Sequence, residues 1–401
     1  MIINLEEFRN TVRAPPHNMS RACLRSVRVS PSAAATSASS SRCRHQRSVV
    51  RAAAAPSTEP RVCVFSACKY ELATLRAHLP ASTTFIDARL DVNTAALADG
   101  HDAVCSFVND DLKSPGVLDI LAERGVRLCL LRCAGTDSID LSRAAELGIT
   151  VCRVPAYDPL SVAEHAVGMM LSLNRHLGSA RDRVRGGNFV LDGLVGHSLR
   201  GRTLGVVGTG KIGRGVADIC AKGFGMRVLG YDQYEKDDFV GEYRALEDVL
   251  AESDVVSLHV PLTPETKHLI DSKSIATMKR GAILINTSRG GLIDAKALLD
   301  GLYSGKIGAL GADVLEDESH FFFQDFSKLS VEEKMMTWNQ DLAALCNLPQ
   351  VIITPHIAFL THEALEQIAS TTAANLDAWA TGAPLVNETN ANSTYTSIGI
   401  Q

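Results

Sequence analysis

Short apolar runs alternate with helical stretches between residues 61 and 390, and this alternation constrains the fold more than any other feature. The runs form two series, one over 62–65, 103–107, 128–131 and 150–154, and a second over 203–207, 227–231, 255–259, 282–285 and 351–354. Strands that alternate with helices build parallel sheets through βαβ units. The sequence therefore predicts an α/β fold with two doubly wound parallel-sheet domains of the Rossmann or flavodoxin-like kind. The proline-free interior of 159–185 predicts one or two bridging helices.

The composition is that of a globular protein. Hydrophobic residues make up 46% of the 401 residues and charged residues 21%, unlike a disordered or fibrous chain. No run reaches the roughly 18 consecutive apolar residues of a membrane span. The formal net charge of −5 argues against a dedicated nucleic-acid binder. We therefore expect neither a membrane nor a nucleic acid among the partners.

The ten cysteines are scattered and include no CxxC pair, and the histidines form no HExxH motif. This pattern is typical of reduced thiols rather than of metal ligands. We therefore expect no bound metal.

The first 60 residues differ sharply in charge from the rest. Residues 8–58 contain no Asp or Glu, but they carry nine arginines and a Ser- and Ala-rich stretch over 31–41. An Arg-rich, Ser-rich and acid-poor composition is typical of an organelle transit peptide. We expect residues 1–60 to direct import into the chloroplast, with the mitochondrion as the alternative. The other interpretations are a disordered tail and an extension translated ahead of Met19. The polar end over 391–401 is expected to be a flexible tail.

A glycine-rich turn follows the strand predicted over 203–207. It contains Gly208, Gly210 and Gly213, it opens a predicted helix, and Asp232 ends the next strand 19 residues after Gly213. This arrangement fits the dinucleotide-binding fingerprint, in which the glycines allow a tight turn, approach of the backbone to the pyrophosphate and close packing of the helix. Asp232 can accept hydrogen bonds from ribose hydroxyls and would repel a 2′-phosphate. The motif therefore predicts NAD, in preference to NADP, as the cofactor.

Three later strands are each followed by residues that can carry chemistry. Arg289 follows 282–285, an acidic segment with Asp313, Glu316 and Glu318 follows another strand, and His356 follows 351–354. Ligands of open α/β sheets bind outside the carboxyl ends of the strands. An Arg that binds a carboxylate, a His that exchanges a proton and a carboxylate that orients the His form a complete set for the reduction of a 2-oxo acid.

The chain resembles the D-isomer-specific 2-hydroxyacid dehydrogenase family, and within it the bacterial D-lactate dehydrogenase branch. The resemblance covers nearly all of residues 61–390 and is carried by 107–111, 131–135, 154–159, 163–166, the glycine motif, 286–290 and 355–359. The aromatic stretch 321–327 and the long segment before residue 351 resemble the D-lactate branch in particular. The implied activity is the reversible, NAD-dependent reduction of pyruvate to D-lactate.

The resemblance also implies a role for individual residues. Arg289 would bind the substrate carboxylate and carbonyl, His356 would be the acid/base, and Glu318 would be its partner, with Glu316 as the nearby alternative. The implied cofactor residues, besides Gly208, Gly210 and Gly213, are Lys211, Ile212, Asp232, Val260, Pro261, Thr266, Thr287, Ser288, Arg289 and Asp313. The implied substrate-side residues, besides Arg289, are Ala134, Gly135 and Tyr157.

The architecture implied by the resemblance is two domains that enclose an active-site cleft. A catalytic domain would comprise 61–157 and 359–390, and a coenzyme domain would comprise 158–358. A homodimer or a higher homo-oligomer is implied too. Two other functions stay open, namely a reductase of glyoxylate, hydroxypyruvate or another 2-oxo acid, and an NAD-sensing transcriptional corepressor of the same fold. The leader and the 321–327 stretch argue against the corepressor.

Overall fold

The computed structural model describes residues 59–318 and 321–390, which form two parallel β-sheets flanked by helices. The predicted leader over 1–60, apart from Glu59 and Pro60, and the predicted tail over 391–401 lie outside these residues. Within the described ranges, no helix is long and apolar enough to cross a membrane. In the same ranges, no group of three or more His, Cys, Asp or Glu side chains is arranged to hold a metal ion.

The first sheet is built from the amino-terminal part of the described chain. Its strands are β1 (Val62–Val64), β2 (Thr84–Phe85), β3 (Ala103–Ser106), β4 (Leu128–Leu131) and β5 (Thr150–Arg153), and its connections contain α1 (Leu72–His78), α2 (Val117–Glu123) and α3 (Leu141–Glu146). The strands are all parallel, in the order β2-β1-β3-β4-β5. The central strands are buried throughout and almost wholly apolar, as expected for a parallel sheet covered on both faces.

Two helices connect this sheet to the next one. α4 (Pro159–Asn174) begins with Pro159 in its first turn, where a missing N–H costs nothing. α5 (Leu177–Arg185) starts after a break at His176, whose φ of +51° is not helical. The predicted bridge over 159–185 is therefore two helices.

The second sheet follows α5. Its strands are β6 (Thr203–Val207), β7 (Arg227–Tyr231), β8 (Glu242–Tyr243), β9 (Val255–Leu258), β10 (Ala282–Asn286), β11 (Ile307–Ala312) and β12 (Val351–Ile353). Its helices are α6 (Lys211–Asp218), α7 (Leu246–Glu252), α8 (Ser272–Thr277), α9 (Ala295–Tyr303), α10 (Val331–Thr337) and α11 (Gln340–Asn347). The parallel order is β12-β11-β10-β9-β6-β7-β8. The strand order reverses between β6 and β9, which is where open α/β sheets bind ligands.

The carboxyl-terminal helix returns to the first sheet. α12 (His362–Thr381) follows β12 and packs on α1 and β4. Beyond it, the backbone N–H of Thr389 donates to the carbonyl of Val151 in β5 at 2.9 Å. The chain therefore crosses between the two sheets twice, once through α4 and once just before α12.

The predicted fold class of two doubly wound parallel sheets is confirmed. Three strands were not predicted with bounds. β2 and β8 were missed because an edge strand of two residues is too short to show a hydrophobic pattern. β11 was expected only as an unplaced strand before Asp313, since two glycines interrupt its apolar run. Five predicted strands run one residue beyond the observed ends, at Phe65, Phe107, Val154, His259 and Thr354. Three of these residues, Val154, His259 and Thr354, begin loops that line the cleft.

Candidate active site

A cleft opens at the carboxyl ends of strands from both sheets. The loops after β4 and β5 and the loops after β6, β9, β10, β11 and β12 line it. Of the predicted site residues, the cleft brings together Ala134, Gly135, Tyr157, Gly210, Lys211, Ile212, Pro261, Thr287, Ser288, Arg289, Asp313 and His356. Six other predicted residues do not line it: Gly208, Gly213, Asp232, Val260, Thr266 and Glu318.

The glycine turn lies at the reversal point of the second sheet. Gly208 has a φ of +96°, and a Cβ there would lie 2.6 Å from the backbone carbonyl carbon of His259. A Cβ on Gly213 would lie 1.9 Å from the carbonyl oxygen of Gly208, so α6 packs directly on the turn. α6 begins at Lys211 with no side chain capping its first turn. Its free N–H groups are therefore available to a phosphate.

Asp232 is held rigidly at the end of β7. Its Oδ2 accepts a hydrogen bond from the backbone N–H of Thr209 at 2.6 Å, and its Oδ1 accepts one from the N–H of Tyr234 at 2.9 Å. The hydroxyl of Thr209 also donates to Oδ2, at 3.2 Å, so Oδ1 is the oxygen that keeps a lone pair for a ribose hydroxyl. On the wall of the cleft, the buried Oγ1 of Thr287 has no hydrogen-bond partner within the described part of the chain. An NAD molecule can satisfy both groups, so the residues present fit this cofactor.

Two of the predicted cofactor residues, Ser288 and Thr266, brace the loops of the site with their hydroxyls. The hydroxyl of Ser288 donates to the carbonyl of Val260 at 2.6 Å, which ties the loop after β10 to the loop after β9. The hydroxyl of Thr266 donates to the carbonyl of Pro261 at 2.6 Å. The side chain of Thr266 therefore closes a turn of the loop, while Pro261 faces the cleft.

His356 and Glu318 form a close pair at the cleft. The Nδ1 of His356 lies 2.7 Å from Oε1 of Glu318, and the two side chains are 15% and 23% exposed. The other carboxylate oxygen of Glu318 accepts the N–H of Leu315 at 2.9 Å. With Nδ1 donating to the carboxylate, Nε2 of His356 is left to exchange a proton with a ligand. Glu316 does not reach His356 and instead lies 3.0 Å from Nε2 of His268.

Asp313 holds the segment that carries His356. Its carboxylate accepts the N–H groups of Ile357 and Ala358, each at 2.9 Å, and the hydroxyl of Thr354. Its backbone carbonyl accepts the N–H of His356 at 2.9 Å. His356 has a φ of +55°, which is rare outside glycine. Asp313 was predicted as a cofactor residue, and its observed contacts also hold the backbone segment that carries His356 in place.

Arg289 reaches across the cleft to the loop after β4. Its Nη1 donates to the carbonyl of Ser288 at 2.8 Å, and its Nε donates to Oδ2 of Asp137 at 3.2 Å. A Cβ on Gly135 would lie 2.5 Å from Nη2, so only glycine lets the guanidinium lie this close. Burial disfavours the charge, but Asp137, Tyr157 and Cys133 together outweigh it and raise the pKa of Arg289 above its usual value.

Aromatic rings surround His356 on the side of the first sheet. The ring centroids of Phe323 and Phe359 lie 6.2 and 6.4 Å from that of His356, and Phe107 and Tyr157 pack on Phe359. Burial raises the pKa of Tyr157 to about 12, which keeps its hydroxyl neutral. This cluster places an apolar wall beside the acid/base residue.

The prediction of site residues missed nine residues that line the cleft, among them Asp137, His259 and Phe359. His259 ends a predicted strand, so strand-end position was a usable signal for it, whereas Asp137 lies farther along the loop after 128–131. Burial lowers the pKa of His259 to about 4, and its Nε2 lies 2.8 Å from the hydroxyl of Ser257. His259 is therefore a neutral, hydrogen-bonded wall residue at physiological pH.

Comparisons with known proteins agree with this geometry. The family model described as "D-isomer specific 2-hydroxyacid dehydrogenase, NAD binding domain" matches residues 167–358. The D-lactate dehydrogenase of Escherichia coli (strain K12) is 47% identical over 307 residues, which cover 76% of this chain and 91% of the relative. The 2-hydroxyacid dehydrogenase A of Aspergillus oryzae is 45% identical over 325 residues, which cover 79% of this chain and 91% of the relative.

A solved structure is similar over the same region. The structure reported for the pyruvate reductase of Chlamydomonas reinhardtii superposes with a TM-score of 0.77 at 46% identity, and the match covers 82% of this chain and 98% of that chain. Matches of this identity and coverage extend over both sheets, and the family model names NAD as the ligand of the second. The predicted cofactor and enzyme class are confirmed, and the chain belongs to the D-isomer-specific 2-hydroxyacid dehydrogenase family of NAD-dependent oxidoreductases.

Proposed function

We propose that this protein is an NAD-dependent D-lactate dehydrogenase, which reduces pyruvate to D-lactate and catalyses the reverse reaction. The observation that carries the proposal is the 2.7 Å contact of His356 with Glu318, in the cleft that also holds Arg289 and the start of α6. The relatives from Escherichia coli and Chlamydomonas reinhardtii, described as a D-lactate dehydrogenase and a pyruvate reductase, support the same substrate.

Each side chain has a defined task in the reduction. NADH, when bound, supplies the hydride that adds to the carbonyl carbon of pyruvate. Arg289 binds the substrate carboxylate and lies close enough to polarise the carbonyl oxygen. Protonated His356 donates its Nε2 proton to that oxygen as the hydroxyl of lactate forms, and in oxidation neutral His356 takes the proton back. Glu318 keeps the ring oriented and stabilises the imidazolium.

The aromatic wall supports a small, apolar substrate side chain. Phe323 and Phe359 stand beside His356 and offer no hydrogen-bond partner. The methyl group of pyruvate fits against these two rings, whereas neither ring offers a partner to the hydroxyl of hydroxypyruvate. The wall and the named relatives therefore favour pyruvate over the glyoxylate and hydroxypyruvate alternatives. The relatives are enzymes, which also favours catalysis over the corepressor.

The substrate assignment is tested by measuring NADH oxidation with pyruvate, glyoxylate, hydroxypyruvate and oxaloacetate, one at a time. We expect the highest kcat/KM with pyruvate and a product that is the D isomer on chiral chromatography. His356→Ala should lower the rate by roughly 10²- to 10⁴-fold, because general acid catalysis contributes about that much. L-lactate as the product, or a preference for another acid, would contradict the proposal.

The domain boundaries proposed here are 61–157 with 359–390 for the catalytic domain and 158–358 for the coenzyme domain. Support comes from α12, which packs on α1 and β4 although it follows the last strand of the second sheet. The cleft is lined from both sheets, so closure of the two domains around substrate and NADH would exclude water from the reaction. Small-angle scattering with and without NADH and oxamate tests this closure.

We infer that the chain works as a homodimer, with its contact on the segment around α5. Phe189, Leu191 and Val195 are 73%, 79% and 83% exposed, so this segment carries large apolar side chains that a monomer would leave in water. Analytical ultracentrifugation should give a dimer for the wild type. Leu191→Asp should shift the mass to the monomer, whereas a wild-type monomer would contradict the inference.

We infer that residues 1–60 direct import into the chloroplast, because the segment is rich in Arg, Ser and Ala and nearly free of acids. Cleavage near residues 51–55 should leave a mature protein that starts close to residue 61. Amino-terminal sequencing of the native protein from isolated chloroplasts tests this. Protein that keeps Met1 or Met19 and fractionates with the cytosol would contradict it.

A further inference from the structure

His268 joins two parts of the second sheet that lie far apart in the chain. Its Nε2 lies 3.0 Å from Oε1 of Glu316, in the loop after β11. Its Nδ1 lies 3.6 Å from Oδ2 of Asp294, at the start of α9. The three side chains are about one-third exposed, and neither His268 nor Glu316 lines the cleft. The proposed chemistry leaves this cluster without a role.

The position of His268 is fixed from several directions. Its backbone N–H donates to the carbonyl of Gly291 at 2.9 Å, and its φ is +52°, a strained value for a residue with a side chain. Asp294 is itself held as the N-cap of α9, where its Oδ1 accepts the N–H of Ala297 at 2.7 Å. Strain of this kind persists only where surrounding contacts over-determine it. The ring of His268 is therefore a rigid anchor for Glu316.

Glu316 lies in the short loop that presents Glu318 to His356. In this loop Asp317 has a φ of +58°, and the Glu318 carboxylate accepts the N–H of Leu315. The loop presses on the chain at Gly290, where a Cβ would lie 1.9 Å from the carbonyl carbon of Leu315. Gly290 thus bounds the loop on one side, and the contact between Glu316 and His268 holds it on another. A shift of Glu316 would move Glu318, two residues away, relative to His356.

We propose that His268 and Glu316 are positioning residues that fix the Glu318 carboxylate against the imidazole of His356. The role rests on the proposed acid/base function of His356 and adds to it. Glu318 touches His356 directly, whereas His268 and Glu316 act only through the loop. A displacement of about 1 Å in a catalytic group can lower the rate up to ~100-fold. Loss of the contact between His268 and Glu316 should therefore slow turnover, because Glu318 is displaced, without weakening substrate binding.

The first test separates turnover from binding. His268→Ala and Glu316→Ala should each lower kcat for pyruvate reduction by roughly 5- to 50-fold, and the KM values for pyruvate and NADH should stay within about 2-fold of wild type. His268→Gln should recover most of the rate, because its amide can donate to Glu316. Lys296→Ala removes an exposed ion pair with Asp300 on the same helix as Asp294, and it should leave kcat unchanged.

The second test asks whether the effect passes through Glu318. The loss of kcat caused by Glu318→Gln is measured in the wild type and in the His268→Ala background. We expect a much smaller loss in the His268→Ala background, because the Glu318 carboxylate is already misplaced there. Equal factors in the two backgrounds would overturn the proposal, and so would wild-type kcat in both His268→Ala and Glu316→Ala. Should an alanine variant fail to fold, Glu316→Gln replaces it in the same cycle.

A third measurement does not depend on turnover. The Nδ1 proton of His356, held by Glu318, should give a downfield proton resonance that is identified by its absence in His356→Ala. This resonance should move or vanish in His268→Ala and persist in Lys296→Ala. A wild type that reduces no 2-oxo acid would contradict the proposed function alone, while the resonance still decides the positioning role. An unmoved resonance in His268→Ala would overturn the positioning role alone.

Discussion

Replacement of Glu318 by Gln tests the acid/base assignment most directly, because it removes one charge and little volume. The contact between Glu318 and His356 is 2.7 Å long, and both side chains are mostly buried. A hydrogen bond to a charged group contributes about 1.5–3 kcal/mol. Each 1.36 kcal/mol corresponds to a factor of about ten in rate. We therefore expect Glu318→Gln to lower kcat/KM for pyruvate reduction by roughly 10- to 150-fold near neutral pH.

The loss should appear in both directions of the reaction. The equilibrium constant fixes the ratio of kcat/KM in the two directions for any variant, so D-lactate oxidation should fall by a similar factor at the same pH. His356→Ala should cost more than Glu318→Gln, because no residue then carries the proton.

The assay is initial-rate NADH absorbance with pyruvate, and NAD⁺ reduction with D-lactate, for wild type, Glu318→Gln and Glu316→Gln at several pH values. The unfolding free energy of each variant, measured by urea denaturation, serves as the control for folding. If the pH–rate profiles of wild type and Glu318→Gln superimpose, Glu318 does not assist His356 and the reasoning is refuted. A smaller loss in Glu316→Gln is expected, since that side chain does not touch His356.

Three further predictions concern the cofactor site, the substrate site and stability. The wild type should prefer NADH over NADPH by at least about 10-fold in kcat/KM, and Asp232→Ser should narrow this ratio in paired assays with the two cofactors. Asp137→Asn should lower the KM for pyruvate by about 5-fold, because it neutralises a carboxylate, 3.2 Å from Nε of Arg289, that competes with the substrate carboxylate. A higher KM would show that Asp137 mainly orients Arg289. Burial lowers the pKa of His259 from 6.5 to about 4. Between pH 6.5 and pH 4, the unfolded chain therefore binds a proton at His259 that the folded protein does not bind. The free energy of unfolding should fall as the pH falls through this range. Urea denaturation of the cofactor-free protein at pH 7 and pH 5 should show a loss on the order of 2 kcal/mol in the wild type and a smaller loss in His259→Gln.

The sequence was most informative where the physical signal is local. Runs of buried apolar residues marked the long central strands, and the glycine spacing with Asp232 marked the nucleotide site, because both patterns follow from the geometry of one βαβ unit. The two-residue edge strands carry no such pattern. Asp137 was missed for a different reason: its significance lies in a contact with Arg289, 152 positions away, and no local pattern reports that contact.

The choice between Glu316 and Glu318 shows the same limit within a single loop. The two residues are of the same type and two positions apart, so spacing along the chain cannot decide which one faces His356. The decision is made by the left-handed turn at Asp317, which sends the two side chains to different histidines, Glu318 to His356 and Glu316 to His268. A two-residue offset alone would place both on one side of an extended strand. The turn therefore places two carboxylates of the same type in two different environments.

Backbone strain in the described residues is concentrated around this acid/base pair. Seven non-glycine residues there have positive φ, and four of them are His268, Asp317, Phe323 and His356. Each such residue costs on the order of 1–3 kcal/mol and persists only where other contacts hold it. The contacts are visible for His356, whose segment Asp313 binds through three hydrogen bonds to its carboxylate. Because removal of those contacts would let the backbone relax away from the strained conformation, the carboxylate of Asp313 fixes the position of the imidazole, while Glu318 fixes the orientation of its ring.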